Sequence, residues 1–147
     1  MKFTIKQYTT HRLVRSEHLN HHGTLYAGRG AEWFVESGFV AASDILPAHN
    51  LICVQIDSLH FKRPVKAGEV ICCNSRIIHA GRTSIIAYIR INGKTDGKSC
   101  SDTIVDGYAT FVHVDENTRP IPHELELEPS CEEDLMLIEK FHLVSRK

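Results

Sequence analysis

Two glutamates, a glycine-containing turn and several loop cations are the residues in this chain whose types and spacing suit chemistry. Glu32 and Glu36 stand at the spacing that places two side chains on one side of a helix. A carboxylate on a mostly apolar helix loses hydration, and burial then raises its pKa toward that of a competent base. Glu36, between Val35 and Ser37-Gly38-Phe39, has fewer charged neighbours than Glu32, which follows Arg29. The plainer reading of either is a solvated stripe. Just before them runs Asn20-His21-His22-Gly23-Thr24-Leu25-Tyr26-Ala27-Gly28. Glycines beside a helix N-terminus let a ligand approach the backbone. The unpaired N–H groups there suit a bound anion or a carbonyl oxygen that turns negative. The same turn also reads as a tight connection feeding a buried helix. It is not a phosphate-cradling loop, because the Lys-Ser/Thr ending is missing.

Other chemistries find less support. The 10 histidines, His21 and His22 among them, form no pair with convincing ligand spacing, and no metal is expected. No G-x-S-x-G elbow exposes a nucleophilic serine. Lys62, Arg63 and Lys66 are loop cations that suit phosphate and equally suit plain solvation. Tyr26, Trp33, Phe34 and Phe39 read either as walls of an apolar tunnel or as plain core.

The elements that must hold these residues follow from periodicity. Phe3 to Tyr8 alternates as a short half-buried strand does, and a polar segment runs on to His22. From Ala31 to Ile45 the pattern is helical, with Ala31, Phe34, Val35, Gly38, Phe39 and Ala42 on one face and Pro47 beyond the end. Strands are expected over Leu51–Phe61, Glu69–Ile78, Thr83–Ile91 and Thr103–Val114. Turns are expected at Pro64/Gly68, at His79-Ala80-Gly81 and at Asn92-Gly93 with its Gly/Lys/Ser/Asp-rich sequel. That spacing predicts an antiparallel meander. Past Pro129, Ser130 is placed to cap a short helix with Leu135, Ile138 and Phe141 on one face. The expected fold class is α+β, an antiparallel sheet wrapped around one long central helix. Such a sheet leaves an open edge and apolar surface, so at least a homodimer is expected. Residues 1–122 make the single domain and 123–147 a C-terminal extension.

Composition narrows the classes further. A chain of 147 residues holds one compact domain. Its 17 Lys+Arg against 18 Asp+Glu lack the basic excess of a nucleic-acid binder. No apolar run approaches the roughly 20 residues that span a bilayer. Met1 to Gln7 lacks the layout of a secretory signal, so a cytoplasmic location is expected, without membrane or nucleic-acid partners. Cys53, Cys72, Cys73, Cys100 and Cys131 make an odd set without C-x-x-C. They are expected as small buried or half-buried side chains rather than a disulfide framework or zinc site.

Four segments carry a family resemblance. Asn20-x-x-Gly23-x-x-Tyr26-Ala27-Gly28 resembles the N-x-x-G-x-x-F-G-G signature of hotdog-fold acyl-CoA thioesterases. Phe61-Lys62-Arg63-Pro64-Val65-Lys66-Ala67-Gly68-Glu69 is similar to that family's F-x-x-P-V-x-x-G-[DE] segment. Gly81-Arg82-Thr83-Ser84 resembles its G-x-T-S turn, and Ala109 to Glu116 with Arg119-Pro120 its closing strand. The bacterial short- and medium-chain acyl-CoA hydrolases are the subgroup it most resembles.

The resemblance implies hydrolysis of an acyl-CoA to acid and CoA, with no cofactor beyond the CoA of the substrate. It implies that the Gly28 amide polarises the thioester carbonyl and that Asn20 positions the reacting groups across a homodimer interface. Thr83 and Ser84 would supply polar contacts, and a helix carboxylate would act as base or nucleophile. Many members carry that acid seven positions after the second glycine, where this chain has Val35. The role therefore passes to Glu36, with Glu32 in reserve. The alternative is a non-catalytic acyl-CoA-binding or sensor module on the same fold.

Overall fold

The computed structural model describes residues 1–95 and 99–145, with side chains for all of these except 95, 99 and 100. The elements, in chain order, are β1 (Lys2–Thr4), β2 (Tyr8–Leu13), α1 (Ala27–Ser43), β3 (Leu51–Phe61), β4 (Val70–Ala80), β5 (Ser84–Thr95), β6 (Ser99–His113), β7 (Glu126–Glu128) and α2 (Glu132–Ser145). A five-stranded antiparallel sheet in the order β2-β4-β5-β6-β3 curls around α1. This is the hotdog arrangement expected from the sequence.

Side-chain alternation explains the layers. Ile85, Ala87, Ile89 and Ile91 of β5 point to the α1 side, as do Ile71, Cys73 and Ile77 of β4, and all are buried. Against them α1 sets Phe34 and Ala41, each 0% exposed. A Cβ on Gly38 would stand 2.9 Å from Ile89 Cδ1, so the missing side chain is what lets helix and sheet approach this closely. On the other face Ile78, Tyr88 and Tyr108 pack under Leu137, Ile138 and Phe141 of α2. The residues after 122 are joined to the domain twice, through α2 and through β7, which pairs in parallel with β1.

Several expectations need correction. The first strand is two: β1 ends at Thr4, and β2 occupies Tyr8–Leu13, inside the segment read as polar. Its polar side chains hid it, because an edge strand needs only one inward row. The helix begins at Ala27, not Ala31, and ends at Ser43. The meander covers only β4 to β6, for β3 pairs with β6 at the far edge. Asn92-Gly93 is no turn: β5 runs through it to Thr95. The connection at residues 96–98 lies outside the described residues, as does the Cys100 side chain.

On α2 the packed residues are Leu137, Ile138 and Phe141, while Leu135 is exposed. Ser130 precedes the helix, but its hydroxyl has the Asp134 carboxylate at 2.9 Å and the Ile5 carbonyl at 3.0 Å as acceptors for its one proton rather than accepting a helix N–H. Among the cysteines, Cys72 is disulfide-bonded and Cys131 is exposed, against the expectation for both. Cys53 and Cys73 are free. Burial pushes the Cys73 thiol up to about 11, which keeps it protonated and inert at neutral pH.

Candidate active site

The turn before α1 is built by Asn20. Its Oδ1 accepts the His22 N–H at 2.8 Å and the Thr24 N–H at 3.2 Å, while its Nδ2 donates to Thr24 Oγ1 at 3.1 Å. Gly23 closes the loop at φ +78°, a conformation that favours glycine. The Leu25 N–H then donates to the Val65 carbonyl at 2.7 Å and the Tyr26 N–H to the His18 carbonyl at 2.9 Å, pinning the chain where the helix starts.

The start of α1 is open. Tyr26 is the N-cap in an extended conformation, no side chain caps the helix, and its first turn holds no acidic residue. The helix dipole and the first-turn amides therefore face an unneutralised surface at Ala27 and Gly28, both exposed. Beside them lies a cleft of about 350 Å³ whose walls include Asn20, Ala27, Phe61, Lys62 and Arg63.

The two basic residues of that cleft differ. Arg63 donates from Nε to Asp102 at 2.6 Å and from Nη2 to Glu69 at 3.1 Å, and it rests against Gly93, where a Cβ would collide with the guanidinium. Burial pushes the Glu69 carboxyl up, but the Lys66 N–H and Arg63 outweigh it and hold it below its ordinary value. Arg63 is thus a clamp between the β3–β4 connection and β6. Lys62 makes a looser contact, 3.4 Å to Asp106, and its ammonium is the more available cation.

Glu32 and Glu36 lie along the solvent side of α1. Glu36 Oε2 accepts from Arg12 Nη2 at 2.6 Å, with the side chains 40% (Arg12) and 48% (Glu36) exposed. Glu32 is 3.5 Å from Arg29 and more exposed. The dehydration expected for Glu36 is therefore not supplied within one protomer. Val35, about 100° round the helix from Glu36, is half-buried.

Thr83 and Ser84 stand elsewhere. They end the β4–β5 hairpin, where the Thr83 carbonyl accepts the His113 N–H at 2.8 Å and the Ser84 carbonyl lies 2.9 Å from His123 Nε2. From Ser84 to Gly93, beside Arg63, β5 extends for about 30 Å. One protomer thus gathers Asn20, Gly28, Lys62 and Arg63 at one end, places both glutamates along the helix, and keeps Thr83 and Ser84 at the other end.

Arg12 is the residue the sequence did not reveal. The signal for it is the inward row Tyr8, Thr10, Arg12 of β2, alternating with exposed Thr9, His11 and Leu13. A larger cleft, about 400 Å³, lies near the far end of α1 between Phe3, Tyr8, Ile45 and Leu125. Its main polar pair, Tyr8 and Asp44, is already bonded to itself, and burial together with Asp44 pushes the Tyr8 hydroxyl up to about 12. Open amides and a cation converge at the smaller cleft and not at this one. Among the described residues no cluster of His, Cys, Asp and Glu has the form of a metal site. Nor is any helix among them long and apolar enough to cross a membrane.

A sheet wrapped on one helix, with an uncapped amide end beside a basic cleft, defines the class, and comparison with known proteins agrees. Residues 22–100 match the thioesterase superfamily, and the chain belongs to it. An uncharacterized acyl-CoA thioester hydrolase of Haemophilus influenzae is 31% identical over 114 residues, 71% of each chain. The acyl-CoA thioester hydrolase YciA of Salmonella typhimurium is 31% identical over 112 residues, 70% of this chain and 80% of that one. The crystal structure of an apo-hexameric acyl-CoA thioesterase superposes with a TM-score of 0.84 at 26% identity, covering 95% of this chain and 88% of the other.

Proposed function

We propose that the protein hydrolyses acyl-CoA thioesters to the free acid and CoA, as a homodimer or higher homo-oligomer. The observation that carries this is the open N-terminus of α1 beside the cleft of Asn20 and Lys62, in a chain of this superfamily. The thioester oxygen sits against the first-turn amides at Gly28, which favour the negative charge that develops on it. A helix carboxylate, Glu36 first and Glu32 in reserve, takes a proton from water as the water oxygen adds to the carbonyl carbon. The C–S bond then breaks and the thiolate leaves with a proton. As nucleophile, the same carboxylate would instead form an anhydride that water opens. Neither route needs a metal or a redox cofactor. Lys62 is the better partner for a CoA phosphate, because Arg63 is already held by two carboxylates.

Thr83 and Ser84 reach this site only from a second protomer. The β3 edge is open and carries exposed Ile52, Val54 and Ile56. Pairing two such edges antiparallel about a two-fold axis brings opposite ends of the two protomers together, so Asn20 of one meets the Thr83 turn of the other.

A panel of acyl-CoA esters with detection of the released thiol tests the reading. Glu36→Gln removes most turnover and leaves the thermal midpoint nearly unchanged. If Glu36→Ala turns over normally and Glu32→Ala does not, the role moves to Glu32. The second reading, binding without hydrolysis, draws on Val35 and on the ion pair that already occupies Glu36. Tight CoA-ester binding with no thiol released over hours, whatever the acyl chain, would establish it.

A further inference from the structure

The contact between β2 and α1 has a property that a simple surface ion pair lacks: its arginine is held from behind. Arg12 Nη2 bonds Glu36 Oε2 at 2.6 Å, and the same guanidinium lies 5.2 Å above the ring of Trp33. Trp33 is itself buried, and His18 stands edge-on to it with ring centroids 5.0 Å apart. His18 is locked in turn, since its Nδ1 accepts the Arg15 N–H at 3.0 Å and its carbonyl accepts the Tyr26 N–H at 2.9 Å. Tyr26 is the residue from which α1, with its open amides, begins. One packed series, Tyr26–His18–Trp33–Arg12–Glu36, thus ties the amide end of the helix to the carboxylate further along it.

We propose that Arg12 is a positioning residue for thioester hydrolysis, holding the Glu36 carboxylate in one orientation through its stack on Trp33; this rests on the reading of Glu36 as the acting acid. A glutamate on the solvent side of a helix otherwise samples several rotamers, and a misplaced base loses rate steeply. The bond engages Oε2, which leaves Oε1 to face water or the thioester carbon. The planar guanidinium suits both tasks, stacking on the indole and donating along its edge. A lysine donates to the carboxylate but has no plane to stack on the indole.

The test compares Arg12→Ala, Arg12→Lys and Glu36→Gln in steady-state hydrolysis of one acyl-CoA, alongside the emission of Trp33, the chain's 1 tryptophan. Arg12→Ala is expected to lower kcat by about 100-fold while KM moves by less than about twofold. Arg12→Lys recovers part of the loss, and millimolar guanidinium recovers part of it in Arg12→Ala but none in Glu36→Gln. Trp33 emission shifts in Arg12→Ala and not in Glu36→Gln. A purely structural arginine would lower the thermal midpoint without this split or rescue. Wild-type or raised kcat in Arg12→Ala, with Glu36→Gln inactive, overturns the inference and leaves the reading of Glu36 standing. Full activity in Glu36→Gln removes that reading and this inference with it. Should Arg12→Ala fail to fold, Arg12→Lys carries the test, and a wild-type kcat there is the overturning result.

Discussion

Arg12 and Arg76 lie on opposite faces of the same sheet, and both pair with carboxylates on a helix. Under α2, Arg76 and Asp134 meet at 2.7 Å with side chains only 10% and 2% exposed. Gln7 and Glu133 complete the guanidinium's bonds, and the Ser130 N–H and hydroxyl complete those of Asp134. Beside α1, Arg12 and Glu36 are as close, yet each is close to half exposed. Distance alone therefore does not tell a structural ion pair from a working one. A buried pair with every bond satisfied resists change, because removing one partner strands a charge away from water. An exposed pair contributes little to stability, so the loss of its arginine should be felt in turnover rather than in folding.

Asp134→Ala should break the comparison most severely. It leaves Arg76 buried with only part of its network and should cost about 3 kcal/mol in urea unfolding. Acid should do the same in the intact protein. Burial pushes the Asp134 carboxyl up, but the Ser130 groups and the Arg76 guanidinium outweigh it and hold it below its ordinary value. Its stabilising contribution is then complete above about pH 4 and is lost as pH falls through the depressed folded value. The difference in unfolding free energy between wild type and Asp134→Ala should shrink accordingly between pH 6 and pH 2. A constant difference would mean that the charge on Asp134 is not what counts.

Glu133→Ala removes the more exposed partner of Arg76 and should cost about 1 kcal/mol or less in the same assay. Arg12→Ala should be the mildest, within about 0.5 kcal/mol in unfolding. Its effect is expected in turnover instead. If Arg12→Ala destabilised as much as Asp134→Ala, the two arginines would be doing the same job.

Much of this was legible in the residues. The run Phe34, Gly38, Ala42 announces α1, and the β-branched stretches from Leu51, Glu69, Thr83 and Thr103 announce β3 to β6, because side-chain period is a local property of the backbone. The turn from Asn20 to Gly28 was readable for the same reason: the bonds Asn20 makes within it close over two to four residues. The strand β2 was not, since Thr9, His11 and Leu13 face water and only alternate residues meet the helix. The pairing of β3 with β6 rather than β4 escaped too, as did the choice of Leu137 over Leu135 on α2.

The sequence by itself determined the helix, the strands β3 to β6, the amide turn and the family, all of which reside in short-range pattern. Only the tertiary structure decided which charges meet. Arg12 finds Glu36 across 24 positions and Arg76 finds Asp134 across 58, and no local periodicity encodes either encounter. The physical reason is that burial, which separates a structural ion pair from a reactive one, is a property of what packs around a side chain, and that is known only once distant segments have come together.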